Sequence, residues 1–347
     1  MRQAAVSLLL ASLALLPGAV HAQASDEDAL LNVTISVFDP GVPADDSVLR
    51  DLEVFPRIRG VEAQLLPFRL REALVLSGEW GAVRVVTKPD LAAELLLTGS
   101  ILRSDGDVLA LRMRAEDATG AVWFDRAFSA EAVDDTSPGT EFFHLYAGIA
   151  EALLESRDLL DQAAIRSVQN TSLMRYAVEL APASFGEFIE ETPDGKWELL
   201  RLPASNDPML ERIQLIRNTE FLITDTIDSK FRELNDDVAR TYRVWRDYRR
   251  KYVSYEEENY RFAQRNYRDA PRGSWEAIKD QYDIYKYDRV TVQEQDRLAV
   301  AFDNEVRPLV RAMEERVAEL EGWVEDGYRE WRRLLDELEE VETYLGE

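Results

Sequence analysis

The chain has 347 residues, with 41 Lys+Arg against 66 Asp+Glu, a formal net charge of -25, no cysteine and two histidines. That balance argues against a nucleic-acid partner, whose phosphates it would repel. The missing thiols exclude disulfides, thiolate metal sites, cysteine nucleophiles and a lipidated N-terminal cysteine.

Hydrophobic residues make up 46% and aromatics 10%, enough for a buried core, and the length suggests two or three domains. Residues 1–24 read as a signal peptide. Arg2 precedes an apolar run from Ala4 to Leu16, and the small residues Ala22 and Ala24 mark two cleavage points. Export to the periplasm is the expectation, with no membrane span after cleavage, because no later stretch approaches the roughly 20 apolar residues a span needs.

Residues 30–165 read as an α+β module. Leu31 to Val37 alternates apolar and polar residues, the pattern of a half-buried strand. Val61 to Ser77 has helical spacing and is stopped by Gly78, with Pro67 expected to delay or kink it. Ala82 to Thr87 is a Val-rich strand, and Leu95–Arg103 and Val108–Glu116 flank the hairpin signal Ser104-Asp105-Gly106-Asp107. A strand over Ala121–Ala130 and an amphipathic helix over Phe142–Leu160 complete the order of a mixed sheet with helices on one face.

Gly78 to Val86, Leu97-Thr-Gly99-Ser-Ile101, Ser104-Asp-Gly106 and Asp117-Ala-Thr-Gly120 carry a resemblance. This third of the chain resembles a group of small periplasmic modules: the N-terminal domain of TolB, the CsgG- and FlgO-like domains, and auxiliary lipoproteins of envelope transporters. The resemblance implies envelope assembly or partner binding rather than catalysis, and it supplies no site residues. Several of those relatives carry a lipidated cysteine, which this chain lacks.

Residues 166–205 form a connector, a helix over Gln162–Leu180 followed by a β-hairpin turning at Pro193-Asp194-Gly195. From residue 206 onward, apolar residues recur every three or four positions on both sides of one break at Asp269-Ala-Pro271-Arg-Gly273. That pattern predicts a long antiparallel helical hairpin or coiled coil. Pro308 is expected to kink or end the second arm, and a break there would give a compact helical bundle instead. The same seam could close between two copies of the chain.

Nine of the 13 tyrosines lie between Tyr242 and Tyr287. Trp245, Tyr248, Tyr252, Tyr255, Trp275, Tyr282 and Tyr285 fall on the stripe and are expected to pack in the seam. Tyr260, Tyr267 and Tyr287 fall off it and are candidates for a partner surface, as is the basic cluster of Arg246, Arg249 and Arg250. Neighbouring Asp247 and Glu256–Glu258 offer that cluster salt bridges at helical spacing.

His144 reads as a packed or capping histidine rather than a general base. Asp105 and Asp107 offer two ligands where a calcium cage needs about five or more. No catalytic, cofactor-binding or metal-ligating residue is assigned. The expected function is a non-catalytic periplasmic adaptor for envelope proteins. The alternatives are a cell-wall enzyme working through Glu187, Glu190, Glu191 or Asp194, and a ligand-sensing module.

Overall fold

The computed structural model of the protein describes residues 30–45, 54–90, 92–133, 142–204, 206–269 and 274–346, with only the backbone described over 252–269, at 276, 277, 280, 283, 284, 287, 288, 291, 292 and 336, and over 338–346. The expected signal segment, residues 1–24, lies outside the described residues. Five strands form the main sheet: β1 (Val33–Ser36), β2 (Val83–Val86), β3 (Leu95–Ser104), β4 (Val108–Asp117) and β5 (Val122–Glu131). Their spatial order is β2-β1-β3-β4-β5. β1 runs parallel to both neighbours, with Ile35 opposite Val85 on one side and Leu97 on the other. The remaining pairs are antiparallel.

Alternation sends Val33, Ile35, Val83, Val85, Leu95, Leu97, Leu109, Leu111 and Met113 to one buried face. Helix α1 (Pro56–Ser77) and helix α2 (Phe143–Arg157) add their own buried residues to the same apolar cluster, among them Leu65, Phe68, Leu70, Leu145, Ile149 and Leu153. α1 starts at Pro56, where the missing N–H would have had no partner anyway. It continues through Pro67 and closes at Gly78, which takes φ 70° and donates to the Val75 carbonyl.

The outer edge of β2 is closed by side chains. Arg71 of α1 donates to the Val83 carbonyl at 3.0 Å, the Val85 N–H donates to Asp228 Oδ1 at 3.3 Å, and Arg71 and Asp228 pair at 2.9 Å. An open edge strand is a template for wrong pairing. One ion pair blocks that edge and fastens the long helix carrying Asp228 to it. The opposite edge, β5, is exposed or half-buried along all ten residues.

Helix α3 (Gln162–Leu180) starts at the Asp161 cap, whose carboxylate accepts from the Ala164 N–H at 2.8 Å. The short helix α4 (Pro182–Phe185) and the hairpin β6 (Ile189–Glu191) and β7 (Trp197–Leu199) follow. They build a second, smaller apolar cluster that includes Met174, Phe185, Ile213 and Leu335.

The rest of the chain is two long helices that pack together, α5 (Pro208–Asp269) and α6 (Trp275–Gly346). Their buried stripes are Ile227, Phe231, Leu234, Val238 and Trp245 on α5, and Ala299, Phe302, Val306, Met313, Val317 and Leu320 on α6. Both belong to the same cluster as the sheet, because α1 lies against both helices. Phe68 meets Phe231 at 5.3 Å between ring centres, and Phe55 meets Trp245 edge-on at 5.0 Å. α6 does not end at Pro308. Buried Val306 and core-packed Leu309 and Val310 flank the proline and hold that turn in the stripe.

The expectation of helices on one face needs a correction. Thr34 and Arg84 alternate away from the main core face, yet they share a cleft with Phe221 and Thr224 of α5 and Val324 of α6. Arg84 lies 4.4 Å over the Phe221 ring and donates to Asp225 at 2.6 Å. The long helices therefore wrap past β2 and cover part of the second face. The β4–β5 end of that face stays open, with Arg112 and Arg114 pairing with Asp125. Among the described residues, no helix is long and apolar enough to cross a membrane.

Candidate functional site

The basic cluster is where the structure departs furthest from the sequence reading. Arg246 and Arg249 are buried, at 7% and 3% exposure, so they cannot line an outer partner surface. Arg246 lies 4.3 Å over the Phe142 ring and donates to the Gly106 carbonyl at 3.3 Å. Arg249 lies 5.3 Å over Phe55 and donates to Gln295 at 3.1 Å. Arg250, partly exposed, donates to the Ala132 carbonyl at 3.4 Å and approaches Asp107 at 3.8 Å. The cluster thus joins α5 to the β3–β4 hairpin and to α2. The guanidinium groups tolerate burial because ring faces and carbonyls replace water around them.

Beside it lies a buried carboxylate that sequence reasoning missed. Glu62 of α1 is 2% exposed and accepts from the Ser104 hydroxyl at 2.6 Å and the Tyr242 hydroxyl at 2.7 Å. Arg59 stands 3.8 Å away. Burial raises the Glu62 carboxyl above its ordinary range, and Arg59, the two hydroxyls and Arg246 only partly offset this. The sign of its effect on stability follows. A carboxyl whose pKa is raised on folding contributes fully below its unfolded value near 4.5, and loses that contribution as pH rises through the folded value. Glu62→Gln keeps an acceptor for Ser104 and Tyr242 but cannot ionise. Its urea midpoint relative to wild type is therefore expected to improve between pH 4.5 and pH 7; an unchanged difference would contradict the assignment.

A second, half-buried carboxylate ties the far ends of the helices together. Glu220 Oε2 accepts from Tyr176 of α3 at 2.8 Å and from Tyr328 of α6 at 2.7 Å. Burial raises the Glu220 carboxyl and pushes both phenols up. One turn away, Arg217 donates to Ser172 at 2.6 Å and lies 5.3 Å from both the Tyr176 and Phe221 rings. Tyr176, Arg217, Glu220 and Phe221 line the cleft shared with Thr34 and Arg84, of about 230 Å³. It offers stacking rings, guanidinium donors and the carboxyls of Asp90, Glu220, Glu321 and Glu325, enough to hold a small polar molecule.

The remaining sequence candidates are placed as follows. Tyr260 and Tyr267 lie in α5 and Tyr287 in α6; their side chains lie outside the described residues. Trp275, Tyr282 and Tyr285, expected in the seam, are 79%, 62% and 58% exposed. Their spacing suits a seam, but it equally suits an outward stripe of the same helix. His144 is exposed against the Phe143 ring rather than packed. Glu187, Glu190, Glu191 and Asp194 are exposed on the β6–β7 hairpin, where Glu187 pairs with Arg201 and Asp194 accepts from Thr192. Asp105 accepts from the backbone of Asp107 and Val108 and from Arg103, the bonding of a turn. Among the described residues, no cluster of three or more His, Asp or Glu could hold a metal ion.

Comparison with known proteins gave no match: no family model, no curated protein and no solved structure is significantly similar to this chain.

Proposed function

We propose that the chain is an exported, non-catalytic adaptor of the bacterial cell envelope, acting in the periplasm. In this reading the sheet module docks an envelope protein, and α5 and α6 form an antiparallel hairpin that projects from it. The hairpin is supported by bonded pairs whose numbers run in opposite directions: Glu220 with Tyr328, Thr241 with Glu305, and Tyr248 with Glu294.

The observation that carries the proposal is the shared core. Ile227 to Trp245 of α5 are packed into the sheet module, whereas α5 continues for 19 residues past Arg250, which still donates to the Ala132 carbonyl. At 1.5 Å per residue that overhang is about 28 Å. A rigid base with a projecting arm suits a protein that holds two things at a fixed spacing. On the base, the uncovered edge of β5 offers the backbone donors and acceptors by which a partner strand adds to a sheet. The resemblance of residues 78–120 to periplasmic modules points the same way.

Site-specific photo-crosslinking in the producing cells tests this. Crosslinkers at Arg126 and Ser129 of β5, in the full-length exported chain, are expected to trap one and the same envelope protein. Recovery of the chain in the cytoplasm, or no adduct from either position, would overturn the reading. So would release of soluble fragments from purified sacculi, abolished by Glu190→Gln or Glu191→Gln. The cleft beside Glu220 supports a second reading as a sensing module, in which a small ligand would tighten α3, α5 and α6 around it.

A further inference from the structure

We infer that the projecting end of α6 is a contact site for an anionic phospholipid surface. The inference deepens the adaptor reading, because it assigns the arm an occupant different from that of the sheet module. Trp275, Ile278, Tyr282 and Tyr285 are 79%, 52%, 62% and 58% exposed, an unusual density of bare apolar and aromatic surface for one stretch of helix. At about 100° per residue they fall on one side of α6. Lys279, Lys286 and Arg289, all exposed, fall within the same arc of about 120°. The carboxylate-bearing positions nearby, Glu276, Asp280, Asp283 and Asp288, lie outside that arc.

Rings that pair an apolar body with a polar edge, flanked by long cationic side chains, match the boundary between headgroups and acyl chains. Charge complementarity selects the anionic surface. Within the arc from Trp275 to Arg289 the charged positions are Lys279, Lys286 and Arg289, all positive, in a chain whose net charge is -25. The acidic remainder would repel such a surface at close range. However, Lys279, Lys286 and Arg289 lie 16, 9 and 6 residues from Gln295, the partner of Arg249 at the base of the arm, or about 24, 14 and 9 Å along the helix. The Debye length at physiological salt is about 8 Å, so each cation stands at least about one Debye length from the base. A second copy of the same stripe is a poor occupant, because Lys279, Lys286 and Arg289 would face their own kind.

Co-sedimentation of the full-length processed chain with vesicles tests this. Phosphatidylglycerol–phosphatidylcholine vesicles are expected to bind the protein, with affinity falling about tenfold or more in Lys279→Glu/Lys286→Glu/Arg289→Glu and at high salt. Vesicles of phosphatidylcholine alone should bind weakly. Trp275→Ser/Tyr282→Ser/Tyr285→Ser should also lose binding while keeping the far-UV circular dichroism and urea midpoint of wild type, since these side chains are already exposed. Equal binding by wild type and both variants, or none by wild type, would overturn the inference. So would a dimer in sedimentation velocity that either variant dissolves, because the stripe would then belong to a second copy. No vesicle binding by the wild-type chain with the β5 adducts retained would sink the inference alone; vesicle binding without the adducts would sink only the docking role of the sheet.

Discussion

A chain ending at residue 205 is expected to lose its cooperative unfolding transition, although it retains every strand. The reason is the position of the core. Ile227, Phe231, Leu234, Val238 and Trp245 of α5 are all buried, at 7% exposure or less, in the cluster that also holds Val33, Leu97 and Leu111 of the sheet. Burying a side chain of this class contributes about 1.5–3 kcal/mol. Those five alone therefore approach the whole stability of a typical domain, about 5–15 kcal/mol. The cut would also uncover Phe68 and Phe55, and would leave Glu62 without Tyr242 and Arg71 without Asp228. Urea unfolding followed by near-ultraviolet circular dichroism, with dye binding to exposed apolar surface, would show the difference. A sharp transition for residues 30–205 would mean that the sheet holds a sufficient core of its own. The consequence for function is direct: partner mapping on this protein calls for point variants, since deleting the helices would unfold the surface under study.

The local structure was legible wherever turn chemistry and alternation act within a few residues. Asp117-Ala-Thr-Gly120 reads as a turn, and Asp117 accepts there from the Thr119 N–H at 2.9 Å, the Thr119 hydroxyl and the Trp123 ring N–H at 2.8 Å. Gly120 takes φ 81°, which explains the glycine. The hairpins at Ser104–Asp107 and Pro193–Gly195, the helix Gln162–Leu180 and the two long helices follow from equally local signals. The sharing of the core did not. Heptad-like spacing is the same whether a stripe meets one helix or sits between two, so the part played by α1 left no separate mark.

Charge misled in the same way. Arg246 and Arg249 look like solvated residues until Phe142, Phe55 and the Gly106 carbonyl are brought against them from more than a hundred positions away. Glu62 was invisible for a similar reason, because its partners Ser104 and Tyr242 lie 42 and 180 residues along the chain. In the opposite sense, Trp275, Tyr282 and Tyr285 look like seam residues by spacing alone, and only the backbone geometry separates an inward from an outward stripe.

Gly106→Ala is expected to be strongly destabilising, because it strikes the contact between the hairpin and the long helix. Gly106 sits at the tip of the β3–β4 hairpin with φ 92°, where a side chain is strained in any surroundings. A Cβ placed there would lie 2.8 Å from the Arg246 carbonyl oxygen, 2.9 Å from Arg249 Cβ and 3.0 Å from the Arg250 N–H nitrogen. Two of those three atoms are helix backbone and cannot swing aside. The hairpin would have to lift away from α5, lengthening the 3.3 Å bond from Arg246 to the Gly106 carbonyl. Backbone strain of about 1–2 kcal/mol adds to an overpacking cost of about 1–3 kcal/mol. The variant should therefore lose roughly 2–5 kcal/mol in urea unfolding. Gly195→Ala is the matched control: Gly195 has φ 78°, but a Cβ there meets nothing within 4 Å, so only the strain should appear. Equal losses in the two variants would show that the close approach of the hairpin to α5 contributes nothing. A loss confined to Gly106→Ala beyond the control would measure how tightly the sheet module grips the arm, the rigidity on which a fixed spacing between two envelope contacts depends.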